Sequence, residues 1–150
     1  MRVAASICAV ASAALLLASA VQAAAPAKDP TVEDVRACYE KAGGKDPQAV
    51  QDCLELELKV VQAEHRDATE RVASMAKALD KPTGTRTRWN AFIQAGQRFD
   101  SFVQRECHFV SLTMKGGKTA QRNAELACRI NYYRLRADIL ENRFLSAVSH

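Results

Sequence analysis

A chain of 150 residues, 48% hydrophobic and 25% charged with a formal net charge of +4, has room for one small domain around a single core and is too short for two. Its charge is unevenly spread, with 8 basic and 12 acidic side chains over residues 24–80 against 12 basic and 5 acidic over residues 81–150. Either the two halves pack on each other with complementary solvated faces, or one half presents a charged face to a partner.

Arg2, the apolar stretch from Val3 to Leu17 and the small residues around Val21-Gln22-Ala23 have the layout of a secretory signal peptide over residues 1–23, so the mature chain is expected to start at Ala24. The apolar core is shorter than the roughly 20 residues of a spanning helix. No transmembrane anchor is therefore expected in the mature chain, and a periplasmic or secreted protein is. Cys8 leaves with the signal, so an odd count of 5 cysteines becomes an even one.

Residues 24–30 read as a flexible mature terminus and residues 31–150 as the folded domain. Thr31, with Asp34 three residues on, is expected to cap a first helix that Gly43-Gly44 stops. Asp46 then caps a second helix with Pro47 in its first turn, where a missing N–H costs nothing. This second helix carries the clearest pattern: Val50, Leu54, Leu58, Val61, His65, Ala68, Val72, Met75 and Leu79 fall on one stripe. Glu55, Glu57, Lys59, Glu64, Arg66, Asp67, Glu70 and Arg71 lie between them as a charged outer face. From Pro47 to Leu79 such a helix is roughly 50 Å long.

Lys81-Pro82-Thr83-Gly84 breaks the pattern. A third helix follows, with Trp89, Phe92, Gly96, Phe99, Val103 and Val110 along its face and Phe102 beside it; its aromatics are expected to face the second and fourth helices. Gly116-Gly117 ends it, and Thr119 is expected to cap a fourth helix bearing Ala124, Cys128, Tyr132, Leu135, Ile139 and Leu140. Strand signals are few and the periodicity is helical throughout. The expected fold is all-α, a small antiparallel bundle of about four helices.

The four remaining cysteines are placed about the glycine loops. Cys38 and Cys53 have their midpoint at 45.5, beside Gly43-Gly44, and Cys107 and Cys128 have theirs at 117.5, beside Gly116-Gly117. In antiparallel hairpins turning at those loops, each pair lies at matching height, which selects disulfides 38 to 53 and 107 to 128 from three possible connectivities. A metal cluster is the competing use of these residues, but neither pair has the short spacing of zinc sites.

Candidate chemistry is sparse. His65 lies on the apolar stripe without a second ligand at metal spacing, and His108 and His150 are isolated. Glu33 with Asp34, and Glu55 with Glu57, are neighbours on a solvated face, not carboxylates held across a cleft. Hydrolase, metalloprotease, P-loop and dinucleotide fingerprints are missing, so no catalytic residue, cofactor or metal is expected. Arg129, Arg134, Arg136 and Arg143, interleaved with Tyr132 and Tyr133, read as a solvated basic helix face with Tyr132 in the core, and export argues against nucleic acid.

One resemblance adds to this. Gln97-Arg98-Phe99-Asp100-Ser101-Phe102-Val103-Gln104-Arg105-Glu106-Cys107, then Gly116-Gly117-Lys118-Thr119, then Cys128 and Arg136 with Leu140, resemble the small exported four-cysteine helical domain of LprI-type lysozyme inhibitors. An aromatic pair stands eight and five residues before the third cysteine there, as Phe99 and Phe102 do here, and an arginine eight residues after the fourth corresponds to Arg136. The resemblance implies a non-catalytic binding protein with a protein partner, a lysozyme in the cell envelope, with Phe99, Phe102 and Arg136 as structural residues of the motif. Glu55, Glu57, Glu64 and Asp67 are then the candidate partner-binding residues, acids for a basic enzyme. The alternative is an adaptor of the envelope that docks on another protein through the basic third and fourth helices.

Overall fold

In a computed structural model, residues 30–43 and 46–146 are described. Four helices follow one another: α1 (Pro30–Lys41), α2 (Pro47–Asp80), α3 (Thr87–Thr113) and α4 (Lys118–Ile139). A short 3-10 turn, Lys81–Thr83, joins α2 to α3, and a π-helical turn, Leu140–Leu145, continues α4. The described residues contain no strand. The expected signal, Cys8, residues 24–29, Lys45 and His150 lie outside the described residues, as does Gly44.

The punctuation at α2 is as expected. The Asp46 carboxylate accepts from the N–H groups of Gln48 at 2.9 Å and Ala49 at 3.2 Å, and Pro47 opens the helix. Gly43 closes α1 at φ 59°, a left-handed turn in which a side chain would be strained. Two other caps differ. Helix α1 begins at Pro30, ahead of Thr31, and α4 begins at Lys118 with Gly117 at the cap position, so Thr119 lies inside the helix and caps nothing.

Helices α2 and α4 form the main contact, α3 packs on both, and α1 lies across the same two. The stripe of α2 closes the core as expected at Val50, Leu54, Leu58, Val61, Ala68 and Val72, then rotates by one residue so that Ala76 and Asp80 are buried and Leu79 is exposed. That drift follows from 3.6 residues per turn over nearly ten turns. On α4 the expected face is displaced: Asn123, Leu126, Ile130, Tyr133, Ala137 and Leu140 are buried, while Leu135 is exposed and Tyr132 is half-buried. Tyr133, not Tyr132, is the tyrosine of the core. Each fully buried Leu or Ile contributes about 1.5–3 kcal/mol relative to exposure, an upper estimate.

Both disulfides form with the expected pairing. Cys38–Cys53 bridges α1 and α2 with Cα atoms 5.6 Å apart, and Cys107–Cys128 bridges α3 and α4 at 5.5 Å. Cys38 and Cys107 are buried in the main core cluster with Val50, Leu54, Val103, Leu126 and Ile130.

Candidate functional site

Charge inside the bundle is organised around Arg134. Its guanidinium meets Asp34 of α1 at 2.6 Å and Glu57 of α2 at 2.9 Å, and it also holds Glu64 of α2. Glu57 and Glu64 are seven residues apart, two turns of one helix face, so one planar fork on α4 reaches both. With a side chain only 21% exposed, Arg134 is not part of a solvated basic face as the sequence suggests. Arg129 pairs with Glu125 at 3.9 Å, and the Arg136 guanidinium lies 5.6 Å from the centroid of the Phe99 ring.

The four acids proposed to face a partner are accordingly engaged. Glu57 and Glu64 bind Arg134; Glu55 lies 3.8 Å from Arg122 and accepts from Gln51 at 3.1 Å. Asp67 pairs with Arg71 at 3.2 Å one turn on, and Arg71 also holds Glu141. Acids of the first half and arginines of the second thus meet across α1, α2 and α4 at Arg134 and Arg122. Sequence alone could have flagged this through the i, i+7 spacing of Glu57 and Glu64, but the arginine that answers them is 70 residues or more away.

Phe99 and Phe102 take different roles. Phe99 packs against the core, edge-on to Tyr133 at 5.9 Å and tilted on His65 at 5.7 Å. His65 is itself 5.1 Å from Tyr133, and a shallow cleft between α2 and α3 opens beside them, bordered by Gln62, Arg66, Thr69, Asp100 and Gln104. Burial lowers the His65 pKa, Asp100 pulls it up and Arg136 pulls it down, leaving it below 6.5. Burial raises the Tyr133 pKa, with Asp100 adding to it, and Arg129 and Gln62 oppose this through hydrogen bonds to the phenol. The cleft thus holds a neutral imidazole and a neutral phenol. Within it the Thr69 hydroxyl donates to the His65 carbonyl at 2.7 Å and lies 3.5 Å from His65 Nε2.

Phe102 points the other way. It stands edge-on to Tyr132 at 5.2 Å yet is 47% exposed, and about two and three turns further along α3 come Phe109, 61% exposed, and Leu112, 63% exposed. At 100° per residue, Arg98, Phe102, Arg105, Phe109 and Leu112 share one outer side of α3, opposite Val103, Cys107 and Ser111. Arg98 and Arg105 form no ion pair among the described residues. Exposed apolar side chains that share one side of a helix are candidates for a contact surface. Reading α3 from its sequence missed this face, because apolar residues stand on both sides of the helix.

Among the described residues no group of three His, Cys, Asp or Glu could hold a metal ion, and no helix is long and apolar enough to cross a membrane. No family model, curated protein or solved structure matches this chain.

Proposed function

We propose that this chain is an exported, non-catalytic binding protein that engages a muramidase in the cell envelope, and that it does so through the outer side of α3 and not through the acids of α2. The observation that carries this reading is the exposed row Arg98, Phe102, Arg105, Phe109 and Leu112, two free cations interleaved with apolar side chains on a rigid helix. Two disulfides, typical of oxidising compartments, support export.

Glycoside hydrolases need two carboxyl groups flanking the bond they cleave. Even a basic muramidase is therefore locally acidic where it works, and an arginine-flanked aromatic ridge complements such a cleft in charge and shape. This removes the difficulty that a mature net charge of +3, 20 basic against 17 acidic side chains once Arg2 is lost, poses for overall electrostatic steering. It also fits the engagement of Glu55, Glu57, Glu64 and Asp67 within the chain. In the adaptor alternative, α3 is again the free basic face, since Arg134 and Arg136 of α4 are engaged inside the bundle.

The test is the residual wall-lysing activity of a muramidase against increasing mature, oxidised protein at low and near-physiological salt. Dose-dependent inhibition that weakens with salt is expected. Full activity in the presence of excess folded protein, across muramidases of different classes, would sink the muramidase reading.

A further inference from the structure

The connection from α2 to α3 is fixed by a buried acid. Asp80, 2% exposed, accepts from the N–H groups of Arg88 at 3.2 Å and Trp89 at 3.0 Å and from the Arg88 guanidinium at 3.1 Å, so it caps α3 from the end of α2. The Thr83 hydroxyl donates to the Asp80 carbonyl at 2.9 Å, and Gly84 turns the chain at φ 64°. The result is a tight, well-tied corner that holds a cavity of about 400 Å³, lined by Lys77, Asp80, Lys81, Thr85, Arg86 and Trp89.

The charge of this cavity is one-sided. Asp80 is satisfied by Arg88 and by backbone donors, which leaves its negative charge spent. Lys77, Lys81 and Arg86 form no ion pair among the described residues. The Lys77 ammonium stands 5.3 Å from the centroid of the Trp89 ring, which places a cation and a half-buried indole at the same opening. An aromatic surface and three cations lining one cavity, in a volume within the range of small-ligand sites, suit an anion carried on a body with a C–H face. Inorganic anions use only the cations; a sugar ring uses the indole as well.

We infer that this corner binds an anionic sugar, a saccharide bearing a carboxylate or phosphate, with Lys77, Lys81 and Arg86 holding the anionic group and the ring lying against Trp89. This site is separate from the α3 row proposed for protein contact, and it does not depend on that proposal. Arg86 meets a carboxylate or phosphate with its planar fork, and the lysines act as point charges. The source of the negative charge, sugar acid or sugar phosphate, is a matter for the titration.

Trp89 is the chain's single tryptophan, so its emission reports on this cavity alone. The oxidised protein is titrated with glucuronic acid, glucose 6-phosphate, glucose and inorganic phosphate, following Trp89 fluorescence, with calorimetry as a second readout that does not rely on a spectral change. Saturable binding of at least one anionic sugar is expected, with glucose and inorganic phosphate each binding at least about tenfold more weakly, the worth of one charge-assisted hydrogen bond or of one lost stacking face. Lys81→Met and Arg86→Met, both at exposed positions, are each expected to weaken binding about tenfold while leaving the circular dichroism unchanged. Heat or fluorescence changes with none of the four probes, equal binding of glucose, or inorganic phosphate binding as tightly as the sugars would overturn the assignment.

Discussion

At the scale of single residues, the bundle depends on a few polar groups that bind across helices. Arg134 ties α1, α2 and α4 through three carboxylates, in a setting between the exposed pairs worth ~0–1 kcal/mol and the buried ones whose loss costs ~3–5 kcal/mol. Removing the cation leaves three acids facing one another. Arg134→Met is therefore expected to destabilise the fold by about 2 kcal/mol, and paired with Glu57→Gln it should give a non-additive cycle in denaturant unfolding. A loss under about 0.5 kcal/mol with full additivity would mean the cluster is solvent-screened. Asp80 works by another route: burial pushes its pKa up, but the N–H groups of Trp89 and Arg88 and the Arg88 side chain outweigh that and hold it below the ordinary carboxylate range.

His65 sets a pH dependence whose sign follows from its surroundings. Burial between Phe99 and Tyr133 and the nearby Arg136 favour the neutral imidazole, and Asp100 only partly offsets them, so the native pKa lies below 6.5. The unfolded chain then binds the proton first. Stability from this residue is complete above about pH 6.5 and is lost as pH falls through the lower native value. Comparing unfolding midpoints between about pH 7.5 and pH 5, the wild type should lose more than His65→Gln. An equal loss would place the acid sensitivity elsewhere.

At the scale of elements, legibility in the sequence followed the length and one-sidedness of each pattern. The core face of helix α2 was readable from Asp46 and Pro47 as far as Val72, because its apolar stripe keeps one spacing through six buried positions, and not beyond, where Ala76 and Asp80 are buried in place of Leu79. Helix α4 was not, since Tyr132 and Tyr133 are both aromatic neighbours 100° apart, and the choice between them is made by Phe99 of another helix. The cysteine pairing was readable because two disulfides in antiparallel hairpins leave a symmetric spacing about the turns. Closing loops of 15 and 21 residues is worth about 3 kcal/mol each in the chain-entropy model. Reduction, or Cys107→Ser, is thus expected to lower the unfolding midpoint, and an unchanged midpoint would show that the second bridge contributes nothing to stability.

At the scale of the whole molecule, part of the opposite charge of the two halves meets across the bundle. Asp34, Glu57 and Glu64 of the first half bind Arg134 of the second, Glu55 faces Arg122, and Arg71 holds Glu141. The candidate acids were legible as acids, but their partners depend on how α4 is rotated, which no local pattern fixes. The bundle leaves apolar side chains open to the outside on α2, at Leu56 and Val60, and on α3, where Phe102, Phe109 and Leu112 stand beside Arg98 and Arg105. The most direct measurement is muramidase inhibition by the Phe109→Ser/Arg105→Ser variant set beside the Glu55→Gln/Asp67→Asn variant, both checked for native circular dichroism. The α3 variant is expected to lose inhibition by at least about tenfold, as for truncated interface anchors, while the acid variant inhibits like the wild type. Loss confined to the acid variant would contradict the assignment of α3 as the binding face and return it to α2.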